Sequence, residues 1–214
     1  TAPRRVCVTE PIKVVVDNYP EDKTEYFPLP NHPAHPELGT REVAFTRELY
    51  IEASDFAEVP PPKFHRLRPD GEVRLMGAYI VRLTDIGSIR ELHVTADLET
   101  GSGMPSDGRK VKGTVHWVSA AHCEDIDIVL YDRLFTIPDV ASYTTSDHNV
   151  EEILEFVNPD SARRLTHAKA EPSIAELRPG EAVQFVRMGY YTPDSKESGV
   201  FNRIIPLKDG YRPG

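Results

Sequence analysis

Proline and glycine decide what this chain cannot be. Nineteen prolines and thirteen glycines punctuate its 214 residues, and a proline inside a helix removes a backbone donor and clashes with the preceding turn. Long helices have no room, whereas short strands joined by many turns tolerate such spacing. The expectation is an all-β chain of about ten short strands with one or two short helices, built as antiparallel barrels rather than a parallel α/β sheet.

Hydrophobic alternation locates the strands. PIKVVV (Pro11 to Val16) is a short β-branched strand closed by Asp17-Asn18-Tyr19-Pro20. Glu21 to Gly39 carries Pro28, Pro30, Pro33 and Pro36, so it is expected to run extended over a surface rather than as a central strand. Arg41 to Glu52, Glu91 to Leu98, Val111 to Val118, Asp125 to Ile137, Glu181 to Tyr191 and Val200 to Leu207 read as further strands. Pro60 to Arg82 reads as two strands joined by a Pro69-Asp70-Gly71 turn, with Gly71 in the left-handed corner. Only Val150, Ile153, Leu154 and Val157 recur at helical spacing, with Asn149 as N-cap and Asn158-Pro159 as the stop. No internal repeat at a fixed period is evident.

A net charge of −9 argues against a general nucleic-acid coat. It permits a local site, because phosphates respond to charges within a Debye length of roughly 8–10 Å. The stretch from Pro60 to Arg82 supplies such a patch: Lys63, Arg66, Arg68, Arg74 and Arg82 face only Asp70 and Glu72, with Phe64, His65 and Tyr79 among them. Guanidinium groups beside flat rings suit splayed-out bases on a phosphate backbone, although a solvated hairpin has the same composition. No apolar run approaches the roughly 20 residues of a membrane span, and the first residues lack the apolar core of a secretory signal. Cys7 and Cys123, the two cysteines, are too far apart in sequence for a disulfide framework or zinc knuckle, so a reducing, cytoplasmic setting is expected.

Catalytic motifs are missing from the sequence. No phosphate loop, dinucleotide turn, zinc helix or nucleophile elbow is present. His116, His122, Cys123, Glu124 and Asp125 lack the spacing of any metal-site class, so no metal is expected, and His32 and His35 read as loop residues. Asp125 and Asp127 share a strand face, which leaves a carbohydrate-active β-barrel hydrolase as an alternative. A structural β module that docks another protein is a third.

Five strings make the resemblance specific: PNHPAHPELGTREVAF (Pro30 to Phe45), GEVRLMGAYIV (Gly71 to Val81), DGRKVKGTVHWVSAAH (Asp107 to His122), IVLYDRLF (Ile128 to Phe135) and GVFNRIIPLKD (Gly199 to Asp209). In this order they resemble the C-terminal anticodon-binding region of the glutaminyl-tRNA synthetases, over nearly the whole chain. The glutamyl-tRNA synthetases of the eukaryotic and archaeal type are the close competitor. The resemblance implies two six-stranded antiparallel barrels that grip the anticodon loop of the glutamine tRNA. Residues 1–17 and 118–214 would form the barrel proximal to the catalytic body, and 18–117 the distal one.

The same resemblance assigns contacts. Arg4, Gln184 and Arg187 would read the middle anticodon base, Arg66 the third, and Arg74 would lie near the first. Gln184 and Arg187, three apart, point to opposite faces of one strand unless a bulge intervenes. Met76 stands where the family has a second arginine, and His65 where it has a lysine. This implies looser reading of the first base, or support from Lys63. Apart from the resemblance, the charges of Arg68, Arg109, Lys110 and Lys112 suit phosphate contacts, and those of Arg109, Lys110 and Lys112 suit a solvated turn equally. No catalytic residue and no cofactor are expected in this chain. ATP and glutamine would bind a catalytic domain elsewhere in the same polypeptide, and Thr1 opening straight into a barrel strand fits a piece of that longer protein.

Overall fold

The computed structural model describes residues 1–88, 91–101, 103–105, 107–140, 142 and 153–207. Its strands are β1 (Arg4–Arg5), β2 (Cys7–Val8), β3 (Pro11–Val16), β4 (Glu25–Pro30), β5 (Thr40–Phe45), β6 (Glu48–Glu52), β7 (Glu72–Leu75) and β8 (Ile80–Ser88). There follow β9 (Glu91–Asp97), β10 (Thr114–Val115), β11 (Trp117–Ser119), β12 (Glu124–Tyr131), β13 (Ala162–Ala170), β14 (Val183–Phe185), β15 (Gly189–Pro193) and β16 (Val200–Pro206). Helical structure among the described residues includes the short 3₁₀ turns Pro36–Leu38, Ala53–Asp55 and Pro172–Glu176. Residues 149–152 of the expected helix lie outside the described residues; Ile153 and Leu154 are helical, and the turn runs on to Val157, whose amide donates to the Leu154 carbonyl at 3.2 Å. Among those described, no helix is long and apolar enough to cross a membrane.

The strands form two nearly closed barrels. In barrel I the order is β1-β14-β15-β16-β12-β13-β2. β1 and β2 are two halves of one strand interrupted at Val6, so the seven segments make six strands and the ring closes on residues 4–8. In barrel II the order is β10-β7-β8-β9-β3-β6-β11, and β10 and β11 are likewise halves of one strand, interrupted at His116. Starting from the closing strand, each ring runs through a parallel, two antiparallel, a parallel and two antiparallel pairings.

The chain order of these strands exposes a duplication. Residues 4–97 supply a closing strand and then β3, β6, β7, β8 and β9; residues 114–206 supply a closing strand and then β12 to β16. Each closing strand completes the other half's ring, so the two halves exchange their first strands. With this correspondence fixed, Leu67-Arg68-Pro69 and Gly71-Glu72 leading into β7 match Leu177-Arg178-Pro179 and Gly180-Glu181 leading into β14. Insertions such as the β4–β5 hairpin destroy any fixed period, which hides the repeat.

Several sequence expectations shift in the structure. Pro11–Val16, expected with residues 1–17 in the barrel completed by the C-terminal strands, pairs instead with β6 and β9 in barrel II and buries Val14 and Val16 in its core. The other edge moves too, because β11 keeps pairing with β6 as far as Ser119. Pro60 to Arg68 forms no strand; three consecutive prolines remove the donors a ladder needs. The hairpin is β7–β8, and Gly77 takes the left-handed corner at φ 71°. A side chain there would meet Leu29 Cδ2 at 2.2 Å. In the Pro69-Asp70-Gly71 turn the left-handed residue is Asp70, at φ 56°, not Gly71. The proline-rich stretch does run at an edge, as β4 of the two-stranded β4–β5 sheet.

Packing differs between the rings. Barrel II is filled by Tyr19, Phe45, Tyr79 and Trp117 with Phe27 packed against them, and Trp117 lies 5.1 Å from Phe45. The Trp117 indole donates to the Met76 carbonyl at 3.1 Å, so its polar edge is satisfied inside the core. Barrel I packs Ile128, Phe185, Tyr191 and Phe201 with small Ala168 and Ala170. Val6, Val8 and Val118 form a third cluster where the two exchanged strands run side by side. At the Val6 interruption, buried Glu171 accepts from the Val6 amide at 2.9 Å and from Arg41 of β5, tying the hairpin to barrel I.

Candidate nucleic-acid interface

The exchanged strands bring expected partners together. Arg4 on β1 lies opposite Gln184 on β14 across the parallel seam of barrel I, and Arg4 Nε donates to Gln184 Oε1 at 2.9 Å. These residues are 180 positions apart in the chain. Gln184 is largely buried. With its carbonyl engaged by Arg4, its amide nitrogen is left to donate, and Arg4 keeps its Nη donors.

Arg187 follows from the turn chemistry. β14 ends at Phe185, and the Met188 amide donates back to the Phe185 carbonyl at 2.9 Å, so the chain reverses through Arg187. No strand bulge is needed to reconcile Gln184 with Arg187, because the second residue sits in the turn. Arg187 has φ 68°, a left-handed conformation unusual for a long side chain. Its guanidinium reaches across to barrel II and forks onto Asp55, Nη1 to Oδ2 and Nη2 to Oδ1, both at 2.7 Å. Arg66 Nε meets the same Oδ1 at 3.0 Å, and Arg66 Nη1 donates to the Thr114 carbonyl at 3.1 Å. The residues expected to read the second and third bases thus converge on one carboxylate.

His116 completes this junction. It is buried at the interruption of barrel II's closing strand, with Nδ1 3.3 Å from Arg187 Nη1 and 3.9 Å from Asp55 Oδ2. Burial lowers its pKa to about 4; Asp55 opposes that shift and Arg187 and Arg66 add to it. The imidazole is therefore neutral at pH 7.

A basic cleft of about 230 Å³ lies on barrel II, lined by Phe64, His65, Arg66, Arg68, Lys110 and Lys112 among others. Arg68, Lys110 and Lys112 are exposed in its lining. Arg82, also in the cleft, is held by Glu72 at 2.9 Å. Lys63 stands exposed at φ 64° beside this loop.

Arg109 points elsewhere. Its guanidinium is shared among Asp97, Asp107 and Glu72 at 2.8, 2.9 and 3.1 Å, which braces the loop rather than offering donors to a phosphate. Hydrogen bonds from Arg109 and then Thr100 pull the Asp97 carboxyl down to about 2. Arg74 on β7 lies opposite Thr114 and donates to the Gly103 carbonyl at 2.7 Å. Met76 is partly buried against the barrel II core and the seam between the barrels.

Among the described residues, the hydrolase alternative finds its two acids in ion pairs and the histidines lie apart. Asp127 is bound to Arg164 at 2.7 Å, and Asp125 to Lys169 across the β12–β13 pair. His116 is buried at the junction while His122 lies on a surface turn near Thr24. Among the described residues, no three His, Cys, Asp or Glu side chains gather to hold a metal. His32 and His35 pack edge to face at 4.6 Å, and His35 meets Glu37 at 2.7 Å in an exposed loop.

Asp55 is the residue that sequence reasoning missed. Nothing in Ala53-Ser54-Asp55-Phe56 marks it, although an acid between Ile51 and Phe56 at the end of an apolar strand is a site where a buried cation partner would be needed.

Two sequence profiles of the class I tRNA synthetase (E and Q) anticodon-binding domain match the chain, one over residues 2–97 and one over 114–194. The first covers the strands of the first half, and the second those of the second half as far as β15. The chain is 46% identical to the glutamine–tRNA ligase of Rhodopirellula baltica over 97% of its own length and 35% of that protein's. It is 43% identical to that of Tolumonas auensis, over 97% of the chain and 38% of the relative. For the ligase of Ectopseudomonas mendocina the identity is 44%, over 98% and 38%. The chain thus spans a little over a third of the length of these curated relatives.

Proposed function

We propose, for a chain that belongs to the anticodon-binding domains of the class I (E and Q) tRNA synthetases, that it reads the anticodon of the glutamine tRNA. On this reading it forms part of a glutamine–tRNA ligase acting in the cytoplasm, whose ATP- and glutamine-binding catalytic domain lies elsewhere in the same polypeptide. The observation that carries the assignment of residues is the Arg4–Gln184 hydrogen bond, 180 positions apart in the chain and 2.9 Å in space. Both side chains were expected at one base.

Uracil offers two carbonyl acceptors and one N–H donor on its edge. Arg4 and Arg187 supply donors, and the Gln184 amide fixes the orientation, so the pair favours uracil at the middle position. Arg66 keeps Nη2 for the O6 and N7 edge of a guanine at the third position. Arg74, with His65 and Lys63 near the loop, serves the first position, where Met76 contributes packing instead of a second guanidinium. Arg68, Lys110 and Lys112 hold backbone phosphates along the cleft, while Arg109 stiffens the loop that carries the lysines. A wrong base leaves these donors unpaired at about 1–3 kcal/mol each, which is where selectivity arises.

The test is binding of the chain to anticodon stem-loops carrying CUG or CUC, at low and moderate salt. Preference for CUG, lost in Arg66→Ala, is expected, with Arg187→Ala weakening binding of both loops because they share the middle uracil. Preference for CUC would reassign the chain to a glutamyl enzyme, and no salt-sensitive binding to either loop would overturn the reading altogether.

A further inference from the structure

Asp55 belongs to neither set of expected base-contacting side chains, yet it touches both. It is fully buried, and its Oδ1 accepts from Arg187 Nη2 at 2.7 Å while meeting Arg66 Nε at 3.0 Å. Oδ2 takes the other prong of Arg187 at 2.7 Å. The two arginines come from different barrels: Arg66 precedes β7 in barrel II, and Arg187 sits in the β14–β15 turn of barrel I. Their side chains remain 32% and 34% exposed, so each has an outer edge that solvent or a ligand can reach.

A carboxylate removed from water must keep its cationic partners, because an uncompensated buried charge is far costlier than an exposed one. Asp55 therefore orients both forks at once. Arg66 commits Nε to Asp55 and Nη1 to Thr114, leaving Nη2 outward of the anchor; Arg187 commits both Nη to Asp55, with Nη1 also 3.3 Å from His116 Nδ1, and keeps Nε. A shift of either guanidinium changes the field and the geometry at the Oδ1 that the other shares.

We infer that Asp55 is a positioning residue that couples the two nucleobase sites served by Arg66 and Arg187, so that a mismatch at one weakens the reading of the other. The inference rests on the proposed function, and it adds that the two anticodon positions are read as a unit. Independent pockets would give mismatch penalties that multiply. Sites sharing an anchor give a double mismatch that costs less than the product, because the first mismatch already disturbs the second fork.

The test uses the 214-residue chain and four anticodon stem-loops: CUG, CCG, CUA and CCA. In the unmodified chain the doubly substituted loop is expected to bind about 3-fold to 30-fold better than the product of the single penalties allows. In Asp55→Asn the four affinities should multiply out, while the slope of affinity against salt, set by phosphates, stays the same. Should Asp55→Asn not fold, Arg66→Ala removes the shared bond from its part-exposed side and should shrink the penalty for replacing the second base. CUG preference with strictly multiplying penalties would overturn the coupling and leave the proposed function standing. Coupling that survives Asp55→Asn unchanged, or a second-base penalty untouched by Arg66→Ala, would remove Asp55 from the role. Equal binding of all four loops would overturn the anticodon reading and this inference together.

Discussion

Barrel I closes on a strand interrupted at Val6, barrel II on one interrupted at His116, and the two breaks occupy equivalent places in rings of the same pairing order. At the first, the backbone is satisfied locally: the Val6 amide donates to Glu171, and the Glu171 amide returns to the Val6 carbonyl at 3.1 Å. At the second, an imidazole enters a cluster of charges made by both barrels. The seam two residues earlier differs in the same sense. Barrel I sets Arg4 against Gln184 as a hydrogen-bonded pair, whereas barrel II sets Thr114 against Arg74, whose guanidinium reaches instead to Gly103. Duplication has copied the backbone geometry, and side-chain replacement at matching positions has given each copy a separate task.

The exchange of closing strands makes the strongest prediction. Because residues 4–8 complete barrel I while leading directly into barrel II, neither ring is covalently or sterically independent. Phe185, fully buried in barrel I against Tyr191 at 4.6 Å and Phe201 at 5.4 Å, should cost about 3–5 kcal/mol when changed to alanine. The single tryptophan, Trp117, reports on barrel II alone. Urea unfolding of Phe185→Ala should therefore lower the fluorescence midpoint and the far-ultraviolet circular dichroism midpoint together. A tryptophan transition that stays in place would show two independently stable barrels and break the comparison.

His116 against Val6 gives the next largest effect. The folded state holds the imidazole neutral, with its pKa lowered from the ordinary 6.5 to about 4. The unfolded chain then binds a proton that the folded chain refuses, so stability is complete above about pH 6.5 and falls as pH drops toward 4. The full loss is about 3 kcal/mol. His116→Val, which copies the equivalent residue of barrel I, should remove this part of the acid dependence in denaturation measured from pH 7 to 4. An unchanged slope would show that carboxylates elsewhere set the acid limit.

The sequence displays strands wherever one face is apolar, as in β3, β9 and β12, and hides them where it is not. β13 is hidden because only Leu165, Ala168 and Ala170 of its nine residues are apolar and withdrawn from solvent; Ala162 is exposed, and the other five are polar. Pro60 to Arg68 shows the opposite error: basic and aromatic residues imitate a strand that the prolines forbid. Ring membership is not local at all. Pro11–Val16 belongs to barrel II because β6 and β9 flank it, and nothing within those six residues says so. Arg4 and Gln184 were linked only through family resemblance, since alternation cannot join positions on exchanged strands. Asp55 escaped because a single carboxylate has meaning only beside the arginines that folding delivers to it.

The smallest effect separates phosphate holding from loop bracing within barrel II. Within the loop from Asp107 to Lys112, neighbouring cations have different surroundings: Arg109 is clamped by three carboxylates, while Lys112 lines the open cleft. Lys112→Ala should make the slope of log affinity against log salt shallower by about 0.7, the contribution of one phosphate on a single strand, and leave the CUG preference intact. Arg109→Ala should leave that slope unchanged and instead raise the Asp97 carboxyl from about 2 toward its ordinary value, because the Arg109 hydrogen bond is the chief cause of its depression. Titration of Asp97 by NMR, beside the salt series, distinguishes the two roles. A shallower salt slope in Arg109→Ala would mean that RNA draws this guanidinium away from its carboxylates, and the loop would then be a moving part of the cleft rather than its fixed wall.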